Sequence, residues 1–407
     1  MAVSIDDIRA AAAVLNGEVQ RTPCIPSQAI SELAGAEVVL KLENLQHTGS
    51  FKARGALVRL AALEEGERRA GVVAASAGNH AQGVAYHARR LGVPATIVMP
   101  KETPYTKVGR TETLGARVLL KGESVAQSHD YALALANTDG LRFIHPYDDE
   151  KIIAGQGTIG LEMLADHPDL EAVIVPVGGG GLIAGIAAAV KALKPEIEVF
   201  GAEAALYPCM YLMLRDEEPG GGGRTVADGI AIEKPGRLTG AMAKDLAKDI
   251  FLADEASLEQ AVLTYMEVQR IVVEGAGAAP LAALMGNRDR FAGRKVGLVV
   301  SGGNIDSRLL ASILMRGLVR QGRLVCLRIE LSDAPGVLAK VAAMIGDSGG
   351  NIVEIHHQRL FQDIPVKLAD VDVVVETLDA GHARKLIAKL SRAGFHTRLL
   401  GGTSGAA

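Results

Sequence analysis

Tryptophan is absent from this 407-residue chain, and aromatic residues make up only 3% of it. So few rings leave little platform for stacking single-stranded bases. A net charge of −4 and a sequence pI of about 6.2 supply no basic surface for phosphate backbones or anionic lipid. Cysteine is scarce as well. Cys24, Cys209 and Cys326 are far apart and odd in number, which argues against a disulfide framework and fits a reducing compartment. No CxxC pair or histidine-rich cluster suggests structural zinc. No apolar run approaches the roughly 18 to 20 residues of a membrane span. The opening "MAVSIDDIRAAAAVLNGEVQ" carries acids early and reads as an amphipathic helix, not a signal peptide. The expectation is a cytoplasmic globular protein that binds neither nucleic acid nor membrane.

What is abundant is apolar sequence, 48% hydrophobic against 22% charged, enough for two or three cores of ordinary size. From about residue 36 to 310, β-branched runs such as "AEVVLKLE", "AGVVAAS", "ATIVMP", "AVIVPVGGGG" and "KVGLVVSGGN" alternate with Ala-rich helical stretches. Helices are predicted from Ser50 to about Glu65 and from about Asn79 to Leu91. Such alternation predicts a parallel sheet wrapped by helices, with ligands at the carboxyl ends of the strands. Residues 145–164 read as the return from a smaller subdomain, about 50–150, to a larger one.

Near residue 320 the pattern changes. "RLVCLRIEL", a helix through "DAPGVLAKVAAMIGDSG", "NIVEIHHQRL", "LADVDVVVETL", a second helix and "FHTRLL" spell β-α-β-β-α-β, a ferredoxin-like layout. The boundaries read as 1–318 for the first domain, 324–400 for the second and a disordered tail at 401–407. Arg316 to Arg323 reads as the linker.

Four consecutive glycines, Gly178, Gly179, Gly180 and Gly181, sit between an apolar strand and an apolar helix. Without Cβ atoms the backbone there can turn several N–H groups onto one anion, aided by the helix dipole. The spacing is neither GxGxxG nor a P-loop, and a plain flexible joint is the competing reading. The run "PGGGGR" at 219–224 has no strand before it and reads as a mobile surface loop. "SAGNHAQG", Ser76 to Gly83, offers small residues with Asn79 and His80, either lining a ligand or merely capping a helix. "SGGN", Ser301 to Asn304, closes the last strand. Lys52 in "HTGSFKARGA" reads alone as a solvated charge. The alternative, a nucleophilic amine, requires a depressed pKa. An anion cradle together with an activated lysine is what a phosphorylated aldehyde cofactor demands.

In that combination, "SFKARGA", "SAGNHAQGVAYHARRLG", "VPVGGGGLIAGI", "VADGIA" and "VVSGGN" resemble the serine/threonine dehydratase family of pyridoxal-phosphate enzymes, with the two-lobed tryptophan-synthase-β-like α/β fold. The segment with "DAPGVL" after its first strand resembles an ACT domain. The resemblance implies that Lys52 is the Schiff-base lysine and Gly178 to Gly181 the phosphate cradle. Asn79 would bond the cofactor's phenolic oxygen, Ser301 would face the pyridine nitrogen, and Phe51 would pack on the ring. The Ser76, Ala77, Gly78, Asn79 and His80 loop would take the substrate carboxylate. It implies threonine ammonia-lyase chemistry, L-threonine to 2-oxobutanoate and ammonia with L-serine to pyruvate secondary, in isoleucine biosynthesis or threonine catabolism. A homodimer or homotetramer is implied, with an amino-acid effector at Asp333, Pro335, Gly336, Val337, Leu338, Asn351 and Ile352.

Two departures bear on this. Racemases of the family carry a second serine where this chain has Ala77, which favours a lyase. Their divalent-ion site pairs a glutamate with an aspartate six residues on. Here Glu203 is followed at that spacing by Cys209, with Tyr207 between, so a magnesium site is doubtful and a monovalent ion at Glu203 stays open. β-Hydroxyaspartate dehydratase, serine racemase and a non-catalytic amino-acid sensor remain the competing readings.

Overall fold

The computed structural model describes residues 2–358 and 367–400, so the expected disorder of 401–407 lies outside the described residues. In chain order the strands are β1 (Cys24–Pro26), β2 (Glu37–Leu42), β3 (Val72–Ala75), β4 (Ala95–Met99), β5 (Arg117–Leu120), β6 (Arg142–Phe143) and β7 (Ala172–Pro176). They continue as β8 (Glu198–Ala204), β9 (Asp249–Ala253), β10 (Lys295–Val300), β11 (Leu324–Ser332), β12 (Asn351–Gln358), β13 (Leu368–Glu376) and β14 (His396–Leu400). The chain divides into two compact units, Met1–Ile305 and Asp306–Ala407.

The first unit contains two sheets, in the orders β1-β2-β10-β7-β8-β9 and β5-β4-β3-β6. All pairings are parallel except the β1–β2 edge. The parallel sheet expected from strand–helix alternation is thus present twice, once per lobe. Strands β3 and β7 are buried along their whole length, which is why they read as unbroken apolar runs. The large-lobe core gathers Val173, Val175, Ile183, Ile186 and Val199, and the small-lobe core Ala56, Leu60, Val84, Ile97 and Ile144.

The helix Glu150–Asp166 carries the chain from β6 of the small sheet to β7 of the large one, as expected for 145–164. Asp149 starts it by accepting from the N–H groups of Lys151 and Ile152. Glycines let it approach its neighbours closely. A Cβ on Gly155 would stand 2.7 Å from Gly55 Cα, and one on Gly185 would stand 2.6 Å from Gly157 N. That contact draws the helix Lys52–Ala61 and the helix Gly181–Leu193 onto its two sides.

Arg54 is the deepest charge in this joint. Its guanidinium is wholly buried, donating to Glu43 Oε2 at 2.8 Å and Oε1 at 2.7 Å, and to Glu162 Oε1 at 2.7 Å and Oε2 at 2.9 Å. Glu43 follows β2 of the large sheet, Arg54 lies on the Lys52 helix, and Glu162 lies on the return helix. One side chain therefore ties three segments.

Two sequence expectations are corrected here. The predicted Ser50–Glu65 helix is shorter, Lys52–Ala61, because Ser50 pairs as an antiparallel bridge with Gly302 and holds extended backbone there. The predicted linker Arg316–Arg323 is not a loop over its first five residues, since the helix Ser307–Arg320 runs through them. That helix groups with the second unit, whereas the sequence reading ends the first domain at 318. In the second unit the sheet order is β12-β13-β11-β14, all antiparallel, and the β-α-β-β-α-β reading matches it. Its core comprises Leu327, Ile329, Val341, Ile345, Val371, Val373 and Leu386.

Replacing Arg54 by Met leaves Glu43 buried without its main counter-charge. The expected loss of unfolding free energy is about 3–5 kcal/mol, read from urea denaturation of the full chain. A loss below about 1 kcal/mol would contradict that reading of the joint.

Candidate active site

Lys52 opens its helix directly after a backbone clamp. The N–H of Phe51 donates to the carbonyl of Ser301 at 3.0 Å, beside the Ser50–Gly302 bridge. Distant segments, "SFK" and "SGGN", are thereby joined at the carboxyl end of β10. Lys52 is partly buried, its Nζ 5.2 Å from the Phe51 ring centroid and donating to the Pro146 carbonyl at 2.7 Å. Burial pushes its pKa down to about 8, while the carboxylate of Glu274 pulls the other way. The amine is thus largely neutral only a little above neutral pH, unlike a surface lysine.

The four glycines turn sharply into the helix Gly181–Leu193. Gly180 is its N-cap at φ 91°, a left-handed conformation that disfavours other residues, and no side chain caps the helix. The first N–H groups of a helix lack intrahelical partners, so this end presents donors and the positive dipole end to an anion. Space is equally tight. A Cβ on Gly179 would stand 2.2 Å from the Tyr147 ring and one on Gly180 2.6 Å from Met210 Cε. The carbonyl of Gly179 accepts from Thr239 Oγ1 at 2.6 Å, which pins the turn from behind.

Asn79 begins the helix Asn79–Arg90, whose N-cap is Gly78 and which again has no side-chain cap. Ser76 and Asn79 therefore do not serve as caps. Ser76 Oγ accepts from Gly78 N at 3.2 Å and braces the loop instead. Asn79 Oδ1 accepts from Asn304 Nδ2 at 2.7 Å, and its Nδ2 donates to Glu274 Oε1 at 2.7 Å, using one of two amide hydrogens. The His80 ring turns into the small lobe, its Nε2 3.0 Å from the Ile144 carbonyl, and burial lowers its pKa to about 3. It is a neutral packing residue, so only its backbone faces the loop. Ser301 is buried at the end of β10.

Sequence reasoning missed several groups. "HPYDD", read only as a connector, does four separate things. His145 Nδ1 accepts from Tyr147 N at 3.2 Å and Asp148 N at 2.8 Å. Pro146 offers its carbonyl to Lys52, and Tyr147 lies against the glycine turn. Asp148 accepts from the N–H groups of Arg237, Leu238 and Thr239, so it places Thr239 behind that turn. Glu274 was also missed; buried 195 positions from Asn79 in sequence, it has no local signal.

Glu203 is buried and already employed. Its two oxygens accept from Met210 N and Tyr211 N, both at 2.9 Å, capping the helix Cys209–Leu214, and burial lifts its pKa to about 7. Among the described residues no group of three His, Cys, Asp or Glu side chains has a metal-holding arrangement. Tyr207 reaches away to the Gly223 carbonyl at 2.8 Å, tethering the 219–224 loop that was expected to be free.

In the second unit, Asp333, Ala334, Pro335 and Gly336 are exposed and lead into the helix Val337–Gly346, whose first residues Val337 and Leu338 are partly buried. This loop follows Ser332, which pairs with Leu368, whereas Asn351 pairs with Glu376 at the opposite end of the sheet, where Ile352 follows it. Eight residue steps of β11 separate the two ends, about 27 Å at the usual antiparallel rise. A single chain does not bring the two expected effector segments together.

Residues 15–302 match the family described as pyridoxal-phosphate dependent enzyme, and residues 327–392 match the ACT domain. The chain belongs to the pyridoxal-phosphate dependent enzyme family. As a member of that family it is similar to an L-threonine ammonia-lyase of Thermotoga maritima, 42% identical over 401 residues, covering 98% of this chain and 100% of that protein. An L-threonine ammonia-lyase of Geobacter sulfurreducens is 41% identical over 94% of this chain and 95% of its own length. Among solved structures, the T.th. threonine deaminase superposes with TM-score 0.70 at 40% identity, covering 74% of this chain and 99% of that one. Serine racemase of Dictyostelium discoideum gives 0.71 at 35% identity, covering 75% and 100%.

The residues present fit the family's cofactor. An uncapped glycine turn that no Cβ can enter suits a phosphate, and an amine whose pKa burial has lowered to about 8 suits an aldehyde. Ser50 Oγ beside this site is buried without a hydrogen-bond partner, a polar group awaiting one.

Gly179→Ala drives a methyl into Tyr147 and should weaken pyridoxal-phosphate binding at least roughly tenfold in an absorbance titration. Acylation of Lys52 in the cofactor-free full chain, followed by peptide mass, should show a midpoint near pH 8, well below the ordinary 10.5.

Proposed function

We propose that the chain is an ammonia-lyase acting on L-threonine to give 2-oxobutanoate and ammonia, with L-serine to pyruvate as a secondary reaction. The observation that carries the reading is the Lys52 amine, kept close to neutral beside Pro146 in a site that also holds the uncapped glycine turn. Threonine is favoured because the Thermotoga maritima relative aligns with this chain end to end, ACT segment included.

The bound pyridoxal phosphate supplies an electron sink that makes the substrate Cα proton acidic. Lys52 would hold the cofactor, and its Nζ, neutral and freed by substrate, takes that proton. The backbone N–H groups at Gly178, Gly179, Gly180 and Gly181 would hold the phosphate. Asn79 would offer its remaining amide hydrogen to the phenolic oxygen, Ser301 would serve the ring nitrogen, and Phe51 would pack against the ring. A serine hydroxyl in that place would favour protonation of the ring nitrogen far less than a carboxylate, which would suit loss of the β-hydroxyl. The backbone N–H groups of the Ser76, Ala77, Gly78, Asn79 and His80 loop receive the substrate carboxylate at a helix N-terminus. Ala77 puts no hydroxyl in the loop to act as a second base, which separates elimination from racemisation.

The catalytic domain in this reading lies within Met1–Ile305, and 324–400 form the regulatory one. The two effector segments at opposite sheet ends meet only if a second copy supplies one of them. Strand β12 is a sheet edge with Val353 51% and Ile355 40% exposed, which supports a homodimer or homotetramer. The enzyme is cytoplasmic in this reading and serves isoleucine synthesis or threonine breakdown.

Lys52→Ala should lose both the visible absorption of the cofactor-loaded protein and ammonia release. Measured side by side, kcat/KM should be highest for threonine and lower for serine. A strong preference for 3-hydroxyaspartate would overturn the substrate assignment.

A further inference from the structure

Glu274 is the buried charge next to the site that the proposed chemistry leaves unused. It stands at the N-cap of the helix Gly275–Gly286 with extended backbone, φ −77° and ψ 161°, yet its side chain makes no cap bond. The aspartate N-caps among the described residues, Asp149, Asp254, Asp306 and Asp379, all accept from their own helix N–H groups. Glu274 forgoes that stabilisation and turns to Asn79 Nδ2 at 2.7 Å, while Asn79 is itself held by Asn304 Nδ2 at 2.7 Å. The pocket for the carboxylate is cleared by glycine, since a Cβ on Gly302 would stand 2.2 Å from Glu274 Oε1. Glu274 N donates to the Gly302 carbonyl at 3.1 Å, so the carboxylate is fixed to the same strand end that anchors Phe51 and Lys52.

We propose that Glu274, with Asn79 and Asn304, is a positioning and proton-holding relay beside Lys52: the ionised carboxylate favours the ammonium form of Lys52, and the protonated carboxyl favours the free amine. The proposal rests on the reading of Lys52 as the working amine. Its chemistry is electrostatic and moves one proton between solvent and Glu274. A buried anion within reach of an amine raises the pKa of that amine, and loss of the anion lowers it. Burial lifts the Glu274 pKa to about 7, within the range where the relay would operate. The charged groups around it are Lys52, Asp228 and Lys107, and Arg110 Nη1 donates to Asn304 Oδ1 at 3.1 Å. Asp228 opposes ionisation of Glu274 and is paired with Lys107 Nζ at 2.8 Å.

The test uses full-length protein stripped of cofactor, with acetic anhydride as the probe and the Lys52 peptide read by mass. Glu274→Gln removes the anion but keeps the hydrogen-bonding shape. Across a pH series the midpoint of Lys52 labelling should fall by roughly half a unit to one unit on loss of this one buried anion. Asp228→Asn, on an exposed side chain away from the core, makes Glu274 easier to ionise and should raise that midpoint by roughly a few tenths of a unit. In loaded Glu274→Gln enzyme, the acid limb of kcat/KM should move to lower pH. Opposite shifts in the two variants support the relay. A labelling midpoint unmoved in both, or shifts of the same sign, overturns it. If Glu274→Gln does not fold, the sign of the Asp228→Asn shift decides alone. Retention of ammonia release in Lys52→Ala would instead sink the functional reading, and the labelling test does not depend on that outcome.

Discussion

Keeping one amine near neutrality inside a folded protein is the constraint on which the rest of this structure turns. Burial disfavours the ammonium form, but burial alone would leave the side chain without a fixed position. The Pro146 carbonyl, 2.7 Å from Lys52 Nζ, supplies the position, and the Phe51–Ser301 backbone bond fixes where the helix carrying the amine begins. Neither partner, Pro146 nor Ser301, lies near Lys52 in sequence. Both contacts depend on the two lobes being joined as they are, which is the work of the return helix and of the buried Arg54 pairs with Glu43 and Glu162.

The same logic of shared supports recurs at the glycine turn. Gly179 is held by Thr239, Thr239 is placed by Asp148, and Asp148 follows closely on the Pro146 that faces Lys52. A single short segment, "HPYDD", therefore sets the spacing between the amine and the glycine turn. Pyridoxal phosphate has both an aldehyde and a phosphate at fixed separation, so an enzyme that binds it must hold two such features rigidly. The close glycine packing around the turn, where any Cβ would meet Tyr147 or Met210, makes that rigidity steric as well as hydrogen-bonded.

Much of this was legible from residue order, for reasons that differ by element. Fully buried strands such as β7 are continuous apolar runs, and the four glycines announce a sharp, uncapped turn into a helix. The order of strand and helix runs after residue 320 marked the second unit as β-α-β-β-α-β. Strands β1 and β9 escaped because three residues with a proline, and five behind a turn, carry too little periodicity. The role of Arg54 was hidden since a charge in an apolar helix reads the same whether paired or solvated. Glu274 was hidden because its partner is 195 positions away and its own neighbourhood reads as an ordinary helix start. Long-range pairing of polar groups is where a pattern of residue types stops and three-dimensional packing begins. The effector segments show the converse: Asp333–Leu338 and Asn351–Ile352 look like one site on a line of sequence, yet the sheet register sets them at opposite ends.

The central claim, that Lys52 is the residue joined to the cofactor, is tested most directly by chemical trapping. Full-length protein loaded with pyridoxal phosphate is reduced with borohydride, digested, and mapped by mass. The added cofactor mass should sit on the peptide containing Lys52 and on no other. The mass on a different lysine, or no covalent addition at all in protein that has bound the cofactor, would contradict it.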